Sequence, residues 1–114
     1  MDVIVEITLS ARQRLLALLE RTAAAPIDAL LMAATYCDEV ERLLTAHRAP
    51  PPDARLRVGR DGASWWLFAD GLWFGFTRRD ETVGHWPFRR IERTFTVFST
   101  STRPPAGGTP PPPG

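Results

Sequence analysis

Apolar positions follow a helical period in the first half of this chain and an alternating one in the second. It opens on alternation: Val3, Val5, Ile7 and Leu9 are separated by Ile4, Glu6 and Thr8, the pattern of a half-buried strand. Ser10-Ala11-Arg12-Gln13 then reads as a capping box, the Ser10 hydroxyl accepting from the Gln13 amide while the Gln13 side chain reaches back. The pattern predicts a first helix to about Ala24, with Leu15, Leu18 and Leu19 as its apolar stripe and Leu16 widening it. Pro26 suits the first turn of a second helix, where its missing N–H would be unpaired anyway. From Ile27, apolar residues recur at Leu30, Ala34, Cys37, Val40 and Leu44 until His47 and the Pro50-Pro51-Pro52 stop, so the second helix is long. Its acidic cluster Asp38, Glu39 and Glu41, with Arg42, belongs on the solvated face.

After the prolines the period becomes two. Asp61-Gly62 and Asp70-Gly71 are two-residue hairpin signals between the strand-like runs 55–60, 63–69 and 72–78. Tight turns at both sites fix the register. The first pairs Val58 with Trp65 and Leu56 with Leu67; the second pairs Ala69 with Leu72, Leu67 with Phe74 and Trp65 with Phe76. Two turns placed independently thus agree on one wholly apolar face. The other face interleaves Arg55 and Arg57 with Trp66, Phe68 and Trp73. It is read either as a platform for a protein or a nucleic acid, or as a surface covered by a helix or the last strand, with the arginines packed over its rings. Ten of the eleven aromatics lie between Trp65 and Phe98, too many for one sheet face, which favours the covered reading. Arg78-Arg79-Asp80-Glu81 reads as a turn-like cluster. Pro87 makes Thr82–Arg90 an edge, a bulge or a loop, and Ile91–Ser99 resumes alternation as a closing strand.

The fold class is therefore α+β: a short N-terminal strand, then two antiparallel helices packed on an antiparallel β-meander. Residues 1–102 form one domain, and the Pro/Gly-rich residues 103–114 form a disordered or polyproline II tail. About 100 residues suffice for one small core. With 44% hydrophobic residues and no run near the roughly 20 a membrane span needs, membrane enzymes and multidomain enzymes are excluded. A single cysteine and an N-terminus without the features of a signal peptide give a cytoplasmic expectation.

Charge sharpens the picture slightly. Residues 1–49 carry five Arg against seven acids, residues 50–114 nine Arg against six acids, so the basic surplus is C-terminal. All fourteen basic residues are Arg, as a coding bias or a selection for bidentate guanidiniums would each produce. No metal or cofactor is expected: two His and one Cys match no ligand spacing, and Gly59-Arg60-Asp61-Gly62 lacks the spacing and Lys of a phosphate loop. Cys37 falls in the helical stripe and reads as a small core thiol, His47 as a residue complementing the helix dipole. One cluster carries possible chemistry. His85 could move a proton while Arg89 and Arg90, with Arg78 and Arg79, hold a phosphate, the minimum for metal-free RNA cleavage. An ordinary solvated basic loop is the competing reading and the favoured one.

The order of elements, with Ile7-Thr8-Leu9-Ser10-Ala11-Arg12 at the first helix entry, Asp38-Glu39-Val40-Glu41-Arg42-Leu43 late in the second helix, Leu56-Arg57-Val58-Gly59 and Val83-Gly84-His85 followed by Arg89-Arg90, resembles the RelE/ParE superfamily of type II toxin-antitoxin toxins over about residues 3–93. The resemblance implies a protein that arrests a target and is held by an antitoxin, with the ribosome or another nucleic acid as a further partner and no membrane. Two departures turn it from the ribonuclease branch toward the gyrase-inhibiting one. The chain has no Lys and its sole Tyr36 lies on the long helix, and Trp86-Pro87-Phe88 interrupts the last family strand. His85, Arg89 and Arg90 would then be catalytic only in a ribonuclease. The other reading is a non-enzymatic interaction module, with Arg55, Arg57, Trp66, Phe68, Trp73, Arg78 and Arg79 as the binding residues.

Overall fold

The computed structural model describes residues 2–47, 56–58 and 64–103. In chain order these form β1 (Asp2–Ile7), α1 (Leu9–Glu20), α2 (Pro26–His47), β2 (Leu56–Val58), β3 (Ser64–Ala69), β4 (Leu72–Val83) and β5 (Arg90–Ser101). The strands make one sheet in the order β1-β5-β4-β3-β2. β2 to β5 form the expected antiparallel meander. β1 joins the other side of β5 in parallel, Val5 opposite Phe95, so the sheet is mixed rather than purely antiparallel. The direction follows from counting. When each of seven consecutive elements reverses the chain, the first and the seventh run the same way.

Both hairpin registers are those dictated by tight turns. Leu56 pairs with Leu67, Arg57 with Trp66 and Val58 with Trp65; Trp65 pairs with Phe76, Leu67 with Phe74 and Ala69 with Leu72. Asp70 and Gly71 have φ of 48° and 94°, the pair of positive values that a type I′ turn requires. Asp61-Gly62, Arg55, the Pro50-Pro51-Pro52 stop and the tail beyond Arg103 lie outside the described residues.

The core lies between the helices and one face of the sheet. Leu15, Leu19, Ala29, Val40, Leu43 and Leu44 pack there against Leu67, Ala69, Leu72, Phe74, Phe76, Phe95 and Val97. Phe76 and Phe95 meet edge to face, with ring centroids 5.8 Å apart.

Four local expectations are corrected. α1 is capped by Thr8, not Ser10: the Thr8 backbone N–H donates to Val97 O at 3.0 Å as the sheet ends, and its hydroxyl accepts from the Ala11 amide at 3.2 Å. Leu9 therefore starts the helix, exposed, instead of ending the strand. α1 also ends at Glu20 rather than near Ala24, since the Thr22 and Ala23 amides both turn back to Leu19 O. The buried stripe of α2 runs through Ala29, Val40, Leu43 and Leu44, leaving Leu30 and Ala34 exposed. Period alone could not choose, because Ile27 to Ala34 is apolar on nearly every side of the helix. Finally, Arg78–Glu81 is not a turn. β4 continues to Val83, with Asp80 opposite Arg93 and Thr82 opposite Ile91, because its charged side chains stay exposed on the ribbon and Asp80 gains an ion pair with Arg93 across it.

The cap gives a direct check. Thr8→Ala should lower stability by about 1 kcal/mol, whereas Ser10→Ala, read by the same thermal unfolding, should be nearly silent.

Candidate functional site

The sheet face turned away from the helices carries Trp66, Phe68, Trp73 and Phe98. These rings pack in pairs. Trp66 meets Phe98 edge to face at 5.7 Å, and Phe68 lies 5.2 Å from Trp73. Gly75 makes the first pair possible, since a Cβ there would lie 2.9 Å from Trp66 Cζ2 and 3.0 Å from Phe98 Cζ. A bulge at Gly75/Phe76, with Gly75 opposite Ser99 and Phe76 opposite Val97, leaves Phe98 as the extra residue. Trp73 is buried, Trp66 and Phe68 are half-buried and Phe98 is 37% exposed, so the rings pack on one another and keep part of their surface in solvent. Arg57 is paired with Trp66, as the register requires. Arg78 and Arg79 are both exposed, but as consecutive strand residues they point to opposite faces and cannot both belong to this layer.

The most exposed apolar side chains sit elsewhere. β3 ends against Thr77 and β1 against Glu92, so the end of the β4–β5 hairpin projects past both neighbours. Its turn is closed by the Phe88 amide donating to His85 O at 2.7 Å, and Gly84 enters it at φ 87°. A Cβ at Gly84 would lie 2.7 Å from Phe88 O, so the position is closed to any other residue without a shift of backbone. Trp86 and Phe88 stand 80% and 81% exposed at this tip, beside exposed His85 and Arg89. Arg90, at the base, donates to Asp2 at 2.7 Å and ties the hairpin to β1. Arg79 and Arg78 lie about 14 and 17 Å down the strand from its end at Val83, at roughly 3.4 Å per residue. The structure thus places His85 and Arg89 on one turn, engages Arg90 in an ion pair, and sets Arg78 and Arg79 apart from them.

Sequence reasoning passed over Trp86 and Phe88 as an interruption of a strand. The signal was present: two aromatics flanking a proline, in a segment with no alternating partner, have no buried face to occupy.

Farther down, Arg93 reaches across to Asp80 with two contacts of 2.8 Å. Its hydrogen bond, the leading cause, holds the Asp80 carboxyl below the usual carboxylate range against the opposing cost of desolvation, with lesser help from the charges of Arg93 and Arg78. The pair therefore stabilises the ribbon above the ordinary Asp pKa, and that contribution is lost as pH falls through the lowered one. A carboxyl-carbon NMR titration should find the Asp80 midpoint below that of an unpaired Asp, and Arg93→Ala should return it to the ordinary range.

A cleft of about 550 Å³ opens at the opposite end of the sheet, lined by Leu31, Met32, Thr35, Tyr36, Glu39 and Asp70. The Tyr36 hydroxyl donates to Asp70 O at 2.6 Å. Burial, and then the Asp70 charge, push its pKa up, so the phenol stays neutral. Cys37 is half-buried against the core, with its thiol pKa raised by burial against the opposing pull of Arg12. It packs as the small thiol the helical stripe implied. His85, Arg89 and Arg90 line neither this cleft nor those of about 490 and 230 Å³ along the helices. Among the described residues no group of three or more His, Cys, Asp or Glu is placed to hold a metal ion, and no helix is long and apolar enough to cross a membrane. Searches against known families, curated proteins and solved structures find no match for this chain.

Proposed function

We propose that this chain acts by binding a protein partner through the tip of the β4–β5 hairpin, as a non-enzymatic interaction module. The observation that carries the reading is the pair Trp86 and Phe88, 80% and 81% exposed beside Arg89. Two large rings held in water by a closed turn lose apolar hydration only when something covers them, and Trp and Arg are the residues that dominate protein interfaces. Catalysis is less well supported. His85 stands exposed on the turn, and Arg90, one of two phosphate-holding candidates, is engaged by Asp2.

The narrower form, a toxin that inhibits its target by occupying it and is neutralised by an antitoxin, rests on the RelE/ParE resemblance. Expression in a bacterium tests it. Growth arrest by the wild type that is relieved in Trp86→Ser/Phe88→Ser supports that form, and normal growth with the wild type sinks it. The broader reading is tested by quantitative pull-down: proteins retained by the wild type should be lost with the double variant, and equal retention by both would contradict tip docking.

A further inference from the structure

Two apolar features of this molecule have no partner among the described residues, and they complement each other. The first is the hairpin tip, Trp86 and Phe88 with His85 and Arg89. The second is the N-terminal half of α2, where Ile27, Leu30, Leu31 and Met32 are 59%, 51%, 61% and 40% exposed, although a helix apolar on all sides is normally covered. Leu31 and Met32 from this patch, with Tyr36, form the apolar wall of the 550 Å³ cleft; Asp70 supplies a carboxylate beside it, while that of Glu39 is held by Arg42 at 2.6 Å. The cleft is thus apolar with the Asp70 carboxylate at its side, and of a size that takes aromatic ring systems; the tip is aromatic and basic.

One copy cannot join the two. The cleft lies at the Asp70 turn, before β4 begins, and the tip follows its far end. Twelve residues of strand separate them by about 40 Å at roughly 3.4 Å per residue.

We infer that the occupant of the cleft is the hairpin tip of a second copy of this chain, Trp86 and Phe88 entering between Leu31, Met32 and Tyr36 while Arg89 approaches the carboxylate of Asp70. This deepens the tip-docking reading and rests on it. The contact is heterologous: each copy offers one tip and one cleft, so assembly continues head to tail into a ring or an open filament.

The symmetry makes the test specific. Sedimentation velocity of the full chain over a rising concentration series should show wild-type species larger than a dimer. Trp86→Ser/Phe88→Ser removes the tip, and Leu31→Glu, at a residue already 61% exposed, blocks the cleft without touching the core. Each variant alone should remain monomeric, with association weakened at least about 30-fold, as truncating an interface anchor does. Mixed in equal amounts they retain one intact tip and one intact cleft, so a one-to-one dimer should form and grow no further. A wild type that stays monomeric, a mixture that does not dimerise, or a Leu31→Glu variant that still assembles overturns the inference. Binding of monomeric wild type to phosphatidylserine vesicles, lost in the tip variant, would assign the tip to a lipid surface and also overturn it. Should the wild type be monomeric while pull-down retention still depends on Trp86 and Phe88, self-association alone fails and docking of a different protein stands.

Discussion

Phe76→Ala should unfold this protein at a markedly lower temperature, with a loss of about 3–5 kcal/mol. Phe76 is fully buried, pairs with Trp65 and Val97 on the two neighbouring strands, and stacks edge to face on Phe95. Removing its ring takes away apolar burial, and the flanking strands, held by their own ladders, cannot close the space. At about 4–8 °C per kcal/mol for a domain of this size, the melting temperature should fall by more than roughly 12 °C. Ile91→Ala provides the contrast: Ile91 is 47% exposed and lies where the hairpin has left the core, so its loss should stay within about 0.5 kcal/mol. Comparable losses for the two would mean that the helices do not cover this face at Phe76.

What could be read from the sequence depended on how many signals bore on each position. The register of β3 and β4 was legible because the Asp70-Gly71 turn and the alternation of Leu67, Ala69, Leu72, Phe74 and Phe76 constrain the same pairing. α2 was legible as a helix but not in its orientation, since Ile27, Leu30, Leu31, Met32, Ala33 and Ala34 offer several equivalent apolar stripes, and only packing against the sheet selects Ala29 and Val40. The length of β4 was hidden because Arg78 to Glu81 resembles a turn when taken alone. Its pairing depends on Arg93, thirteen residues beyond Asp80, which no local pattern reveals. The Arg and aromatic face was placed correctly in register at Arg57 and Trp66, yet its openness was not legible. That depends on Gly75 and the bulge, which fold Trp66 onto Phe98. The tip was read as an interruption because Trp86 and Phe88, about four-fifths exposed, leave no buried face for alternation to mark.

Trp86→Ser/Phe88→Ser is expected to have the largest functional effect. Both side chains are about four-fifths exposed, so replacing them removes almost nothing from the core and should leave the melting temperature nearly unchanged. The turn is held by the backbone, through the Phe88 amide to His85 O and the positive φ of Gly84, and neither depends on the rings. Binding should therefore fall by at least about 30-fold with the fold intact. A large fall in thermal stability would show instead that the rings support the hairpin.

The measurement that bears most directly on binding rather than catalysis compares His85→Ala with the double tip variant, in partner retention and in metal-free cleavage of messenger RNA. The account predicts that His85→Ala retains the partner, that the tip variant loses it, and that neither the variants nor the wild type cleaves RNA. Cleavage by the wild type that slows about 100-fold in His85→Ala, the size of effect expected of a general acid or base, would contradict it.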